Sequence, residues 1–283
     1  ALSTQNLPDA TVVPSDSFSA VTYTGDNVSG REITGVGFKP DFVWGKSRSQ
    51  AYNNWLYDTV RGATLGLKSN TTSSELTTPV NGYVSSFDAD GFTATSGSSD
   101  TNNLNQSGQT YVAWNWKAGT EVTNNEGTIE SQVSANPEAG FSVVTFTDDG
   151  VAGKTIGHGL EQTPSIVIQK PLGTGGWYTF YDLVDGSYDY MLLNTNGARF
   201  NSTIAPATDT VFSNLQIAGN SLAYCFADVE GYSKFGSYIG NGNANGPFIY
   251  TGFKPAYVII KRANTTGSWL IYDDARAPTN SVG

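Results

Sequence analysis

The sequence predicts an all-β protein made of tandem β-sandwich domains, of jelly-roll or concanavalin-like type. Three observations predict it. First, strand-like runs rich in β-branched and aromatic residues recur at intervals of roughly 8–12 residues. Turn signals separate them, such as Thr24-Gly25-Asp26-Asn27, Asp88-Ala89-Asp90-Gly91, Asn194-Thr195-Asn196-Gly197 and the glycine-asparagine run 240–246. Second, no window carries a 3.6-residue apolar stripe, which an amphipathic helix would need. Third, one phrase is written more than once. Gly-Phe-Lys-Pro occurs at 37–40 and again at 252–255.

The repeated phrase organises the chain. Pro40 is followed six residues later by Lys46, Pro164 by Lys170, and Pro255 by Lys261. Each run then leads to a Trp followed by an Asp: Trp55 and Asp58, Trp177 and Asp182, Trp269 and Asp273. Upstream, residues 18–27 (FSAVTYTGDN) parallel 141–150 (FSVVTFTDDG), with a weaker third copy at 233–242 (SKFGSYIGNG). Downstream, 110–119 (TYVAWNWKAG) parallel 221–231 (SLAYCFADVEG). The spacings, 164 − 40 = 124 and 255 − 164 = 91, are too long and uneven for a solenoid. They fit duplicated domains. The expected layout is an N-terminal arm at 1–17, a first sandwich at 18–119 and a polar linker at 120–140 with one edge strand. A second sandwich follows at 141–231, and an incomplete third copy at 232–283.

Each Pro-to-Lys run reads as a central strand. Phe42, Trp44 and Lys46 share one face by period-two alternation, as do Ile166, Ile168 and Lys170, and Tyr257, Ile259 and Lys261. Val43, Val167 and Val258 face the other way. Both faces are apolar, as in a strand between two layers. Pro stands just ahead, where its missing N–H costs no ladder bond. The recurring Lys and Asp (Lys46 and Asp58, Lys170 and Asp182, Lys261 and Asp273) read either as structural ion pairs at a sheet end or as a ligand-gripping or catalytic pair. The structural reading is favoured, because a half-buried Lys needs a partner.

Composition excludes several function classes. Net charge is −10 with 15 Lys+Arg in 283 residues, and no basic run exists, which excludes ordinary nucleic-acid binding. An acidic surface disfavours anionic membranes. No apolar run approaches the ~18 residues of a membrane span. A single cysteine, Cys225 in an apolar setting, forms no intrachain disulfide and reads as a small buried hydrophobe. One His, His158 in a Gly-rich turn, and one Cys cannot supply a usual zinc ligand set. No cofactor is expected.

The remaining candidates are few. Asp88 and Asp90 read chiefly as turn residues, with a calcium loop or a carboxylate pair for glycoside cleavage as alternatives. Exposed aromatics can stack on sugars. Tyr52, Tyr188, Trp177 and Tyr178 lie near turns and are the candidate ligand-binding residues. The recurrence of Trp55, Trp177 and Trp269 favours core packing for those three.

The repeated phrases carry a family resemblance. Residues 17–25 (SFSAVTYTG), 35–48 (GVGFKPDFVWGKSR), 56–63 (LYDTVRGA), 86–92 (SFDADGF), 110–119 (TYVAWNWKAG), 229–262 and 269–276 (WLIYDDAR) together resemble a family of tailed-bacteriophage structural proteins. These occur in marine and aquatic phages as tail fibres or similar appendages. The resemblance covers about residues 18–280. It implies β-sandwich domains of concanavalin/SPRY-like type, no enzymatic motif and a place in the virion. The implied partners are other virion proteins, further copies of the chain (a trimer by analogy with fibres) and a host surface glycan. The enzyme alternative is a polysaccharide depolymerase tailspike. The other is a secreted glycan-binding or adhesion module. The third copy is expected to be completed by a partner or by residues outside the 283.

Overall fold

The computed structural model describes residues 12–97 and 104–277. Most of the expected N-terminal arm thus lies outside the described residues. Its end forms a short 3-10 turn at Pro14–Asp16, and Lys117 N–H donates to the Ser17 carbonyl. The protein is an all-β sandwich built of several antiparallel sheets.

The first copy contains β1 (Phe18–Thr24), β2 (Arg31–Ile33), β3 (Phe42–Ser47), β4 (Trp55–Asp58), β5 (Leu65–Lys68), β6 (Leu76–Thr77), β7 (Gly82–Asp88), β8 (Gly91–Ser96) and β9 (Thr110–Trp116). Six of them form a sheet in the order β1-β9-β3-β4-β5-β6. A smaller sheet, β2-β8-β7, covers one face. Between the two layers lies a core of Ile33, Val43, Trp55, Tyr57, Val84, Phe92 and Ala113.

Residues 120–140 do more than link. They form two strands, β10 (Glu121–Asn124) and β11 (Ser131–Asn136). The second copy follows: β12 (Phe141–Asp148), β13 (Thr155–Gly157), β14 (Ile166–Pro171), β15 (Tyr178–Tyr181), β16 (Asp189–Leu192), β17 (Phe200–Asn201), β18 (Val211–Ser213) and β19 (Gly219–Phe226). Its sheet runs β10-β11-β12-β19-β14-β15-β16-β17, so the expected linker extends the second sheet by a hairpin. Alternation explains this. Val133 points into the second core beside Val144, while its polar neighbours Gln132 and Ser134 point away. A pair of strands, β13 and β18, covers the other face.

The third copy contributes β20 (Tyr257–Ile260) and β21 (Leu270–Asp273), paired as a two-stranded sheet. Its upstream segment, 234–242, forms no strand, although it carries the pattern of β1 and β12.

The registers define the equivalent positions. Val43, Val167 and Val258 each lie three residues after the repeated Pro, and they face Tyr57, Phe180 and Tyr272 across the ladder. Hence Asp58, Tyr181 and Asp273 are equivalent. So are Asn54, Trp177 and Trp269, which means Trp55 is out of step with the other two. A one-residue shift reverses a strand's faces. Trp55 accordingly packs inside the first copy, whereas Trp177 packs between copies.

The large sheets of the two copies pack on each other through their open faces. Phe42, Trp44, Leu56, Trp114 and Trp116 from the first copy meet Phe141, Val143, Trp177, Leu222 and Tyr224 from the second. Tyr257 and Ile271 of the third copy join the same cluster. Phe42 stacks on Tyr224 at 4.2 Å, and Tyr257 lies 5.6 Å from both Trp114 and Trp116. Each aromatic buried here removes ~150–250 Å² from water.

The β7–β8 hairpin depends on one glycine. Gly91 has φ +147, and a Cβ there would lie 1.9 Å from the Ile33 carbonyl oxygen. We expect Gly91→Ala to lower stability by about 1–3 kcal/mol, read from urea midpoints. An unchanged midpoint would show that the hairpin adjusts freely.

Candidate functional site

The polar groups that recur across the copies meet at the junctions between them. Asp58 is fully buried at the end of β4. Its carboxylate accepts from Arg61 Nε at 2.6 Å and from the Arg61 backbone N–H at 2.9 Å. It also accepts from Tyr224 Oη of the second copy at 2.8 Å. Burial first, then the Asp58 charge, holds the Tyr224 phenol well above its ordinary pKa, so it remains a donor. The third copy repeats this arrangement with a different donor. Asp273 accepts from Arg276 Nε at 2.5 Å, and from Trp114 Nε1 of the first copy at 2.9 Å.

A second set of contacts obeys the same rule. Trp177 Nε1 of the second copy donates to the Lys68 carbonyl of the first at 2.9 Å, and Trp269 Nε1 of the third donates to the Leu192 carbonyl of the second at 3.2 Å. Lys68 and Leu192 occupy equivalent places, opposite Trp55 and Tyr178. Backbone bonds reproduce the relation. Glu75 N–H donates to the Leu172 carbonyl and Gly175 N–H to that of Thr72, both at the first junction. Arg199 N–H to Ala263 and Gly267 N–H to Asn196 are their counterparts at the second. The copies therefore contact one another in a cycle: the second copy binds the first, the third binds the second, and the first binds the third.

The recurring Lys and Asp do not pair. Lys46 Nζ donates to Asn54 Oδ1 at 3.1 Å. Lys170 Nζ donates to the carbonyls of Pro171 and, at 2.8 Å, Gly173. Lys261 Nζ donates to the carbonyls of Gly197 at 2.6 Å and Arg262 at 2.8 Å. Lys170 and Lys261 thus hold loop carbonyls, Lys46 holds a side-chain amide, and Asp58 and Asp273 take their own Arg three residues on. Asp182 is exposed, because Tyr181 occupies the buried place in the second copy. There the acid has moved to the neighbouring strand: Asp189, opposite Tyr181, is fully buried and pairs with Arg199.

Four aromatics were expected to meet a ligand. Trp177 is fully buried at the first junction and cannot. Tyr52 donates to Gln106 Oε1 at 2.6 Å. Tyr188 is half-buried and stacks on Phe180 at 5.6 Å. Tyr178 belongs to a row that sequence reasoning missed. Tyr178, Tyr190 and Phe200 lie on neighbouring strands β15, β16 and β17, with ring centroids 5.8 and 5.3 Å apart. Phe200 is 47% exposed, on an edge strand of two residues. This half-open aromatic ladder can stack against flat, weakly polar faces such as sugar rings.

The carboxylates proposed for metal or catalysis hold turns. Asp90 accepts from Gly35 N–H at 3.0 Å and Gly37 N–H at 2.6 Å. Those bonds hold its pKa below the ordinary carboxylate value. Asp88 accepts from the Thr93 hydroxyl at 2.7 Å. Among the described residues, no three His, Cys, Asp or Glu side chains cluster as a metal would require. His158 is buried, which lowers its pKa. Its Nδ1 accepts from Leu160 N–H and its Nε2 contacts the Thr208 carbonyl, so a neutral ring ties two loops. Burial pushes the Cys225 thiol up to about 12. A shallow cavity of about 360 Å³ beside Asp228, Glu230, Lys234 and Tyr250 lies at the entry to the third copy.

A family model described as Domain of unknown function (DUF7483) matches residues 13–283. The chain belongs to this family. No curated protein and no solved structure matches it. The family match covers all three copies, so the cyclic contacts lie within its span.

Three outcomes are expected from the junctions. Arg61→Met strands the Asp58 charge and should cost about 3–5 kcal/mol. Tyr224→Phe removes one bond to a charged group and should cost about 1.5–3 kcal/mol. Urea unfolding measures both, and the Arg276→Met loss should be smaller than that of Arg61→Met, because the Arg276 side chain is 23% exposed against 2% for Arg61.

Lys170 supplies a pH dependence. Burial lowers its pKa to about 8 in the folded protein, against ~10.4 unfolded. Below about 8 both states are charged and the burial penalty stands in full. As pH rises from there towards ~10.4, the folded state loses its proton first, so stability rises relative to a Lys170→Met variant. A difference in urea midpoint that stays flat across that window would contradict this assignment.

Proposed function

We propose that the chain is a non-enzymatic structural protein of a tailed-phage virion, a tail fibre or another tail or capsid appendage. One observation carries this reading. The buried or half-buried polar side chains that recur between copies, Asp58 with Arg61, Asp273 with Arg276 and the three Lys residues, are occupied in tying copies and loops together. A block locked in this way presents its loops and edges rigidly, which suits attachment or assembly. The partners are other virion proteins, further copies of the chain and a host surface glycan. Multivalent display would convert weak single contacts into firm attachment.

The Tyr178–Tyr190–Phe200 ladder supports a second reading, a secreted glycan-binding or adhesion module outside any virus. A polysaccharide depolymerase has less support, because Asp88 and Asp90 are held in turn bonds.

A density map of the phage particle tests the proposal. The three-copy block should fit an appendage of the virion. Its absence from purified particles, with glycan binding retained, would favour the adhesion module. Oligosaccharide release from host polysaccharide that is lost in Asp88→Asn would establish the depolymerase instead. Phe200→Ser should lower adsorption or glycan binding about tenfold if ladder stacking contributes ~1–1.5 kcal/mol, with the unfolding midpoint unchanged.

A further inference from the structure

The cycle of contacts has one open position. In the first copy β3 lies between β9 and β4, and in the second β14 lies between β19 and β15. Among the described residues, β20 pairs with β21 alone. Its other edge is where a counterpart of β9 and β19 would run. The segment 234–242 corroborates this. Its counterparts β1 and β12 are strands because they pair with β9 and β19. Without that partner, 234–242 is irregular, with Tyr238 and Ile239 exposed.

The polar ledger of the cycle has a matching gap. Tyr224 on β19 reaches Asp58 of the first copy, and Trp114 on β9 reaches Asp273 of the third. The same step applied to the third copy ends at Tyr181 and Asp189 of the second. There Tyr181 Oη and Asp189 Oδ1 are both buried without a hydrogen-bond partner. Unpaired buried oxygens of this kind are costly, and Asp189 is fully buried.

We propose that the free edge of β20 receives an antiparallel strand of the β9/β19 pattern, carried by polypeptide other than these 283 residues. The pattern is an aliphatic residue, Ala, an aromatic donor, any residue, then an aromatic, as in Val112-Ala113-Trp114-Asn115-Trp116 and Leu222-Ala223-Tyr224-Cys225-Phe226. Registers fix its placement. Trp44 faces Trp114 and Phe42 faces Trp116. The corresponding residues on β20 are Ile259 and Tyr257. The donor aromatic therefore lies opposite Ile259 and reaches the Tyr181–Asp189 pair. The second aromatic lies opposite Tyr257. Residues 234–242 then pair along the far side of the incoming strand, completing the three-strand order seen in the other copies.

A second copy of this chain is a poor source. Its β9 and β19 are each already paired on both sides. The segments 1–11, 98–103 and 278–283 contain no aromatic residue. The incoming strand therefore belongs to a different segment. This inference stands apart from the virion reading and survives if that reading fails.

The test uses the intact protein with a synthetic peptide of residues 109–118, which carries the β9 sequence. Saturable binding is expected, with amide-exchange protection gained at 257–260 and at 234–242. A peptide with Trp114→Phe, which lacks the N–H donor, should bind about fivefold more weakly. The protein variant Tyr181→Phe probes the acceptor side. It should fold at least as stably, since its hydroxyl has no partner to lose, and should bind the peptide more weakly. No saturable binding, or protection confined to other strands, would overturn the proposal. Self-association that protects 257–260 without peptide would overturn it in favour of a second copy. Equal binding by the Trp114→Phe peptide would overturn the assigned hydrogen bond.

Discussion

A buried carboxylate that needs a donor from the next copy is the constraint on which this structure rests. Asp58 and Asp273 are taken out of water at the ends of their strands. Each is neutralised by its own Arg three residues on, yet each also accepts from an aromatic donor of another copy. A buried ion pair alone stabilises little, because desolvation offsets the attraction. Removing one member is another matter, since the remaining charge stays buried and uncompensated. The copies therefore hold together through the cost of separating them. Pulling the second copy from the first would expose the Phe42–Tyr224 stack and deprive Asp58 of one donor.

The three copies meet this constraint unequally. In the second, Tyr181 takes the carboxylate's place and the acid moves across the ladder to Asp189, where Arg199 meets it. The Arg is thus supplied from ten residues away and not from the next turn. The charge pair survives the move because the two positions are opposite each other on adjacent strands. What the cycle preserves is the location of an acceptor at each junction, whichever residue supplies it.

The sequence disclosed the copies and the central strands, because a repeated Pro and Lys bracket an apolar run of fixed length. Register was harder. Trp55 and Trp177 both precede an Asp and look equivalent, but they are one residue out of step and face opposite layers. The same slip made Asp182 look like the partner of Lys170, when Tyr181 holds the buried place. Spacing along the chain cannot reveal which face a side chain takes once a bulge or a longer turn intervenes. The polar stretch 120–140 hid two strands, since Val133 and the small Ala135 alone mark the buried face of β11 between polar neighbours. Tyr190 and Phe200 were missed for a related reason. Their strands are short, and they meet Tyr178 only through cross-strand pairing.

The edges of the sheets bear on how the third copy is meant to be covered. Edges that stay open in water are usually short, polar or charged, which discourages pairing with other chains. Of the outer strands of the large sheets, β6 and β17 have two residues each, β10 begins with an exposed Glu121, and the longer β1 carries Ser19, Thr22 and Thr24. By contrast, β20 reads Tyr-Val-Ile-Ile with no charge within it, and Ile259 is exposed. Its sequence is that of β3 and β14, strands built to lie in the middle of a sheet. An edge of that composition invites pairing. The unpaired Tyr181 and Asp189 oxygens behind it require a donor as well as a backbone. Hydrophobic cover alone would leave them buried and unmet, so what fits this place is a strand with an aromatic N–H or O–H at one defined position.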